Sequence, residues 1–173
     1  MSTPASTLSL HDAAKPLLDF YQRGGVAPPE LLPIEGADMP EPFRKLLVHA
    51  DDMTPTLEHF HGSRIHLRMV NREVTEAAYT REVILEAGEG NQPVEFGAIA
   101  IHLEQFPEAA RELILGESVP LGTILADHTI LHQSCPQAYF RVNSDPLITE
   151  ALGLPDSTEL YGRCNIHRNL NGN

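Results

Sequence analysis

The stretch Ala78-Tyr79-Thr80-Arg81-Glu82-Val83-Ile84-Leu85-Glu86 decides the fold. It alternates with the period of a β-strand, so Tyr79, Arg81, Val83 and Leu85 share one face and Thr80, Glu82, Ile84 and Glu86 the other. The first face is apolar apart from one arginine at its middle. An arginine on a core-facing row is costly unless something meets its charge. Two readings stand. Either Arg81 pairs with an Asp or Glu of the chain, or sits on a face only half buried, or else its planar fork of donors receives the carboxylate of a small ligand. The opposite face carries both glutamates and reads as the wetter one.

Working outward, residues 87–93 form a polar turn and 94–102 a second strand, which makes a hairpin with the first. Gly97, Ala98 and Ala100 leave little side-chain volume there, room for a helix, a backbone or a ligand to come close. Upstream, 64–71 alternates, with Ile65, Leu67 and Met69 opposite Arg64, His66 and Arg68. Downstream, 137–143 and 159–170 bring the total to about five strands. Between them lie helices with recognisable punctuation: 11–23 stopped by Gly24-Gly25, 41–50, 54–60 stopped by Gly62, 107–115, 120–127, and one opened by Asp145-Pro146. The start of 120–127 offers free backbone N–H groups, a weak anion signal that every helix shares.

This order predicts an α+β domain: a mostly antiparallel sheet with helices packed on one face. No βαβ rhythm, phosphate-binding glycine loop or internal repeat is visible. Residues 1–40 comprise a frayed start, the first helix and a Pro-rich loop at 26–40, part of the domain or flanking it, and 41–173 form the domain itself. The terminal Asn171-Gly172-Asn173 carries a strong hairpin signal with no returning strand. It reads either as a frayed tail or as a sheet lacking its last strand.

The chain has 173 residues, suited to one domain, and a formal net charge of -12. That charge argues against nucleic acid and anionic membranes as partners. Cys135 and Cys164 are too few and too far apart for a zinc pattern and read as reduced, structural thiols. Residues 1–10 lack the features of a signal peptide and no apolar run is long enough to span a bilayer, so a cytoplasmic location is expected. His59, His61 and His66 straddle a helix end, a turn and a strand, and no metal site is expected of them. Met53 by itself reads as a core gap-filler.

Four segments in order resemble the chorismate lyase family and its bacterial relatives: Asp51-Asp52-Met53-Thr54, Tyr79-Thr80-Arg81-Glu82-Val83-Ile84-Leu85, Val119-Pro120-Leu121-Gly122-Thr123-Ile124-Leu125 and Leu160-Tyr161-Gly162-Arg163. The resemblance runs from about residue 43 to the C-terminus. It implies a carbon–oxygen lyase that eliminates pyruvate from chorismate to give 4-hydroxybenzoate, as in ubiquinone biosynthesis, without metal or organic cofactor. It also implies an antiparallel sheet whose helices enclose the ligand. Arg81 would hold the ring carboxylate as the catalytic residue, with Met53 and Leu121 in contact with the substrate. Arg163 falls in a matched segment but receives no role. One departure matters: the family's glutamate, on the strand after the final hairpin turn, would fall a few residues beyond Asn173. The same fold serves in effector-binding domains of some bacterial regulators. The alternative is therefore a non-catalytic domain for a small aromatic carboxylate. An uncovered sheet edge is also expected to favour a homodimer.

Overall fold

The computed structural model describes residues 8–155 and 157–170. In chain order its elements are α1 (Leu10–Ala13), α2 (Lys15–Arg23), β1 (Leu32–Pro33), α3 (Phe43–Leu47), α4 (Met53–His61), β2 (Ile65–Val74), β3 (Tyr79–Ala87), β4 (Gln92–Ile101), α5 (Glu108–Leu115), α6 (Leu121–Asp127), β5 (His132–Asn143), α7 (Pro146–Leu152) and β6 (Glu159–Asn169). The strands form two antiparallel sheets of three, ordered β2-β3-β4 and β1-β5-β6. The expected α+β class with antiparallel strands is what the molecule has. The expected turn at Asn171-Gly172 and residues 1–7 of the frayed start expected over 1–10 lie outside the described residues, while the end of that stretch is ordered, with Ser9 capping α1 at Leu10.

The decisive stretch is β3, the central strand of its sheet, and it is buried on both faces. On the Arg81 face, two apolar clusters flank the arginine. Tyr79 packs with Ile101 and with Ala110 and Ile114 of α5 and Ile124 of α6. Leu85 and Ala87 pack with Ile65 and with Leu57 of α4. Helices α4, α5 and α6 thus cover this face, as the apolar row requires.

The opposite face is not the wet one that its glutamates suggested: Glu82 is 3% and Ile84 2% exposed. Helix α2 contacts β3 and β4, and α7 contacts β4. The sequence concealed this because α2 brings polar groups of its own. Arg23 pairs with Glu73, which stands opposite Thr80 on this face, and Arg23 also attracts Glu82. Ala98 and Ala100 stand opposite Glu82 and Thr80, so the small residues of β4 lie on this face, away from Arg81. Among β4's small residues only Gly97, opposite Val83, lies on the Arg81 face.

Burial raises the Glu82 carboxyl above its ordinary range, with Arg23 opposing only in part, and its Oε1 has no hydrogen-bond partner. A raised folded-state pKa means that the unfolded chain gives up this proton first as pH rises. Stability therefore falls between the ordinary glutamate value and the raised one. Glu82→Gln is expected to melt higher than the parent at neutral pH and to lose that advantage in acid. Melting curves of both proteins across this range check it; parallel pH profiles would contradict the assignment.

Two elements differ from expectation. The Pro-rich loop contains β1, whose Leu32 and Pro33 pair with Arg141 and Phe140 at the sheet edge, where a missing proline N–H costs nothing. Strand β5 starts at His132, well before residue 137, because a bulge between Pro136 and Ala138 lets the strand run past a proline that reads as a breaker. In β6, Gly162 stands opposite Phe140, and a Cβ there would come within 2.3 Å of the Phe140 ring. The glycine of the fourth matched segment thus makes room for an aromatic ring on the neighbouring strand.

Candidate functional site

Arg81 is 1% exposed, so its face is fully rather than half buried. Its Nε and Nη1 have no hydrogen-bond partner among the described residues. Nor does any Asp or Glu form an ion pair with it among the described residues. The nearest acid by its electrostatic effect is Glu117, whose carboxylate is already engaged: Arg72 Nη1 donates to Oε1 at 2.7 Å and the Tyr79 hydroxyl donates to the same oxygen at 2.8 Å. Glu117 itself stands at the turn after α5 with a left-handed φ of 59°. The bonds from Arg72 and Tyr79 hold its carboxyl below the usual range, and burial together with Glu117 pushes the Tyr79 hydroxyl up to about 12. Desolvation lowers the pKa of Arg81 from its ordinary value, and only Tyr79 and Glu117 at a distance work the other way. Of the readings left open by the sequence, pairing with an internal acid is therefore not realised among the described residues.

Met53 and Leu121 are both half-buried above this face. Leu121 packs on the Tyr79 cluster and Met53 on the Leu85 cluster, so they lie toward either side of Arg81 along β3. Their helices meet at Gly122, where a Cβ would stand 2.7 Å from Thr54 Oγ1. Only glycine permits this approach of α4 to α6, and the approach sets the spacing of the neighbouring Met53 and Leu121. Helix α6 itself spans Leu121–Asp127, a short element opened by Pro120 with no side-chain cap.

A second carboxyl shares the Arg81 row. Glu95 stands opposite Leu85, beside a bulge in the β3–β4 pairing, and its side chain leans along the strand: Glu95 Oε1 lies 3.9 Å from where a Gly97 Cβ would be. Burial raises its pKa, and the charge of Arg163 opposes that only in part. Sequence reasoning passed over Glu95, although it lies two residues before Gly97 on the same alternating row.

Arg163 acquires a structural role. Its Nη1 donates to the His49 carbonyl at 2.9 Å and its Nη2 to the Asp51 carbonyl at 2.8 Å, fixing the segment that leads into α4 and Met53. Beyond that segment Asp52, His132 and His167 come together, with Asp52 Oδ2 2.8 Å from His132 Nε2 and Asp52 Oδ1 3.5 Å from His167 Nδ1. The histidines considered from sequence, His59, His61 and His66, belong to no such group among the described residues.

Two open hollows, of about 310 and 560 Å³, flank β1, and Arg141 lines both. Neither includes Arg81, and their rims are charged by Glu159 and Glu35. Among the described residues no helix is long and apolar enough to cross a membrane. No protein-family model matches the chain, and no curated protein matches it.

Proposed function

We propose that this chain is a chorismate lyase-like protein, which binds chorismate by its ring carboxylate at Arg81 and releases pyruvate and 4-hydroxybenzoate. The observation that supports this reading is the buried Arg81, with two donors unmatched, on a face roofed by the helices of Met53 and Leu121. A carboxylate is the group that such a fork is shaped to receive, and charge-assisted bonds of ~1.5–3 kcal/mol each would fix the ring's orientation. Half-buried Met53 and Leu121 supply apolar contact for the ring.

The reaction breaks the ether bond between ring and enolpyruvyl group. The ring loses the hydrogen beside its hydroxyl and becomes aromatic, and enolpyruvate gains a proton at its methylene carbon to become pyruvate. Atoms balance with no redox partner. The protein's task is to hold the dianion in one pose and to stabilise the negative charge that builds on the ether oxygen as the bond breaks. We assign that second task to Glu95. Its carboxyl leans along the Arg81 row, and burial favours its protonated form.

The test is chorismate turnover by the purified chain, with pyruvate and 4-hydroxybenzoate followed together. Equal release of the two is expected. Glu95→Gln is expected to lower kcat by about 100-fold with KM little changed, the size typical of a lost general acid. An unchanged kcat in Glu95→Gln would remove that residue from the chemistry. Absence of product, with 4-hydroxybenzoate still raising the melting temperature, would replace the lyase by a non-catalytic binding domain.

A further inference from the structure

We infer that Asp52, His132 and His167 form a binding site for one divalent transition-metal ion, zinc being the simplest occupant. This site is separate from Arg81 and does not depend on the lyase reading.

Three segments far apart in sequence supply the group. Asp52 is the N-cap residue of α4, His132 the first residue of β5, and His167 lies near the end of β6. Ser134 pairs with His167 and His132 with Asn169, so the two histidines project from the same face of the β5–β6 ladder. Their rings are 5.4 Å apart. One donor atom from each of the three residues fits within a span of 4.8 Å. A zinc ion bound at ~2.0–2.2 Å by imidazole nitrogen and carboxylate oxygen needs its donors roughly 3.3 Å apart, so binding would draw these three atoms together.

Three details go beyond proximity. Aspartate is among the best N-capping residues, yet the Asp52 side chain makes no cap bond to α4 and turns to the histidines instead. Asp52 Oδ1 and His167 Nδ1, which face each other, are buried and have no hydrogen-bond partner. At His132 both ring nitrogens face oxygen acceptors: Nδ1 is 2.8 Å from the Ile130 carbonyl and Nε2 is 2.8 Å from Asp52 Oδ2. A neutral ring that donates through Nδ1 to Ile130 directs the lone pair of Nε2 at the carboxylate. A second proton or a cation reconciles those two lone pairs, whereas the other neutral tautomer only moves the mismatch to Nδ1 and the Ile130 carbonyl. A backbone carbonyl holding the distal N–H is also the usual outer partner of a metal-binding histidine. Behind His167, Asn165 Nδ2 lies 3.3 Å from Nε2 and donates to Ser134 Oγ at 2.9 Å. Turning this amide over would let its oxygen accept from both Nε2–H and Ser134, leaving Nδ1 free to ligate.

The positive charge of Arg163 acts on both Asp52 and His167. With one carboxylate and two neutral imidazoles as ligands, the bound ion keeps a net positive charge, so its remaining position favours an anion or hydroxide over a neutral ligand.

The full chain, stripped with chelator and dialysed, is titrated with zinc by calorimetry and with cobalt by absorption. One equivalent of zinc, a higher melting temperature on binding, and intense cobalt ligand-field bands of a four-coordinate site are expected. His167→Ala and Asp52→Asn should each weaken zinc by about 100-fold or more, whereas the double replacement of His59 and His61 by alanine should leave it unchanged. Asp52→Asn keeps side-chain shape and removes no cap bond, so it separates loss of a ligand from loss of the fold. No zinc binding by the parent, or binding that survives both Asp52→Asn and His167→Ala, would overturn the site and leave Asp52 and His132 as an ion pair tying α4 to β5.

Discussion

Arg81→Met abolishes 4-hydroxybenzoate binding and at the same time raises the melting temperature of the unliganded chain: that is the expected result of the largest single change in the site. The guanidinium is almost wholly buried with Nε and Nη1 unmatched among the described residues, and the one carboxylate whose charge acts on it, Glu117, is already bonded to Arg72 and Tyr79. A charge held in this way destabilises the empty protein. Replacing it by an apolar side chain of similar length should stabilise the fold by about 1–3 kcal/mol, or several degrees. Removing two charge-assisted bonds to a carboxylate should weaken binding by about 100-fold or more. A merely structural arginine behaves in the opposite way, because losing it lowers the melting temperature. Melting curves with and without ligand read both effects in one experiment, and a destabilised Arg81→Met that still binds would remove Arg81 from the site.

Ile124→Ala should be the most damaging change for the fold among those that leave the site's polar groups intact. Ile124 is 0% exposed on α6 and belongs to the cluster joining Tyr79 and Ile101 of the sheet to α5. Truncation loses transfer energy and leaves a cavity that rigid neighbours fill poorly, a cost of about 2–5 kcal/mol. The expected drop in melting temperature is roughly 5–15 °C for a chain of this size. Because α6 carries Leu121, ligand affinity should fall too, but by less than in Arg81→Met. Denaturant unfolding gives the first quantity and ligand titration the second. A loss below about 1 kcal/mol would show that α6 is not part of the core that sets stability.

Much of this was legible in the sequence wherever a residue's role follows from its immediate neighbours. The alternation of 78–86 placed Arg81 on an apolar row, and the glycine and proline punctuation located most helices. What stayed hidden depends on contacts between distant segments. Nothing local says that α2 covers the Glu82 face, because Tyr21 and Arg23 read as an ordinary helix end. Glu95 entered the candidate site only with the β3–β4 register, which sets it opposite Leu85 on the Arg81 row. The Asp52, His132 and His167 group required β5 to begin before Pro136, where propensity argues for a break. Asp52 is separated from the first of those histidines by 80 residues and from the second by still more, and no spacing rule joins them.

The central claim is that Arg81 is a receptor for a small aromatic carboxylate. Calorimetric titration of the unaltered chain with 4-hydroxybenzoate, and then with 4-hydroxybenzamide of the same shape but no charge, tests it most directly. The predicted result is one binding event for the acid and none for the amide, with the acid's signal lost in Arg81→Met. Equal binding of acid and amide, or no binding of the acid at all, would contradict it.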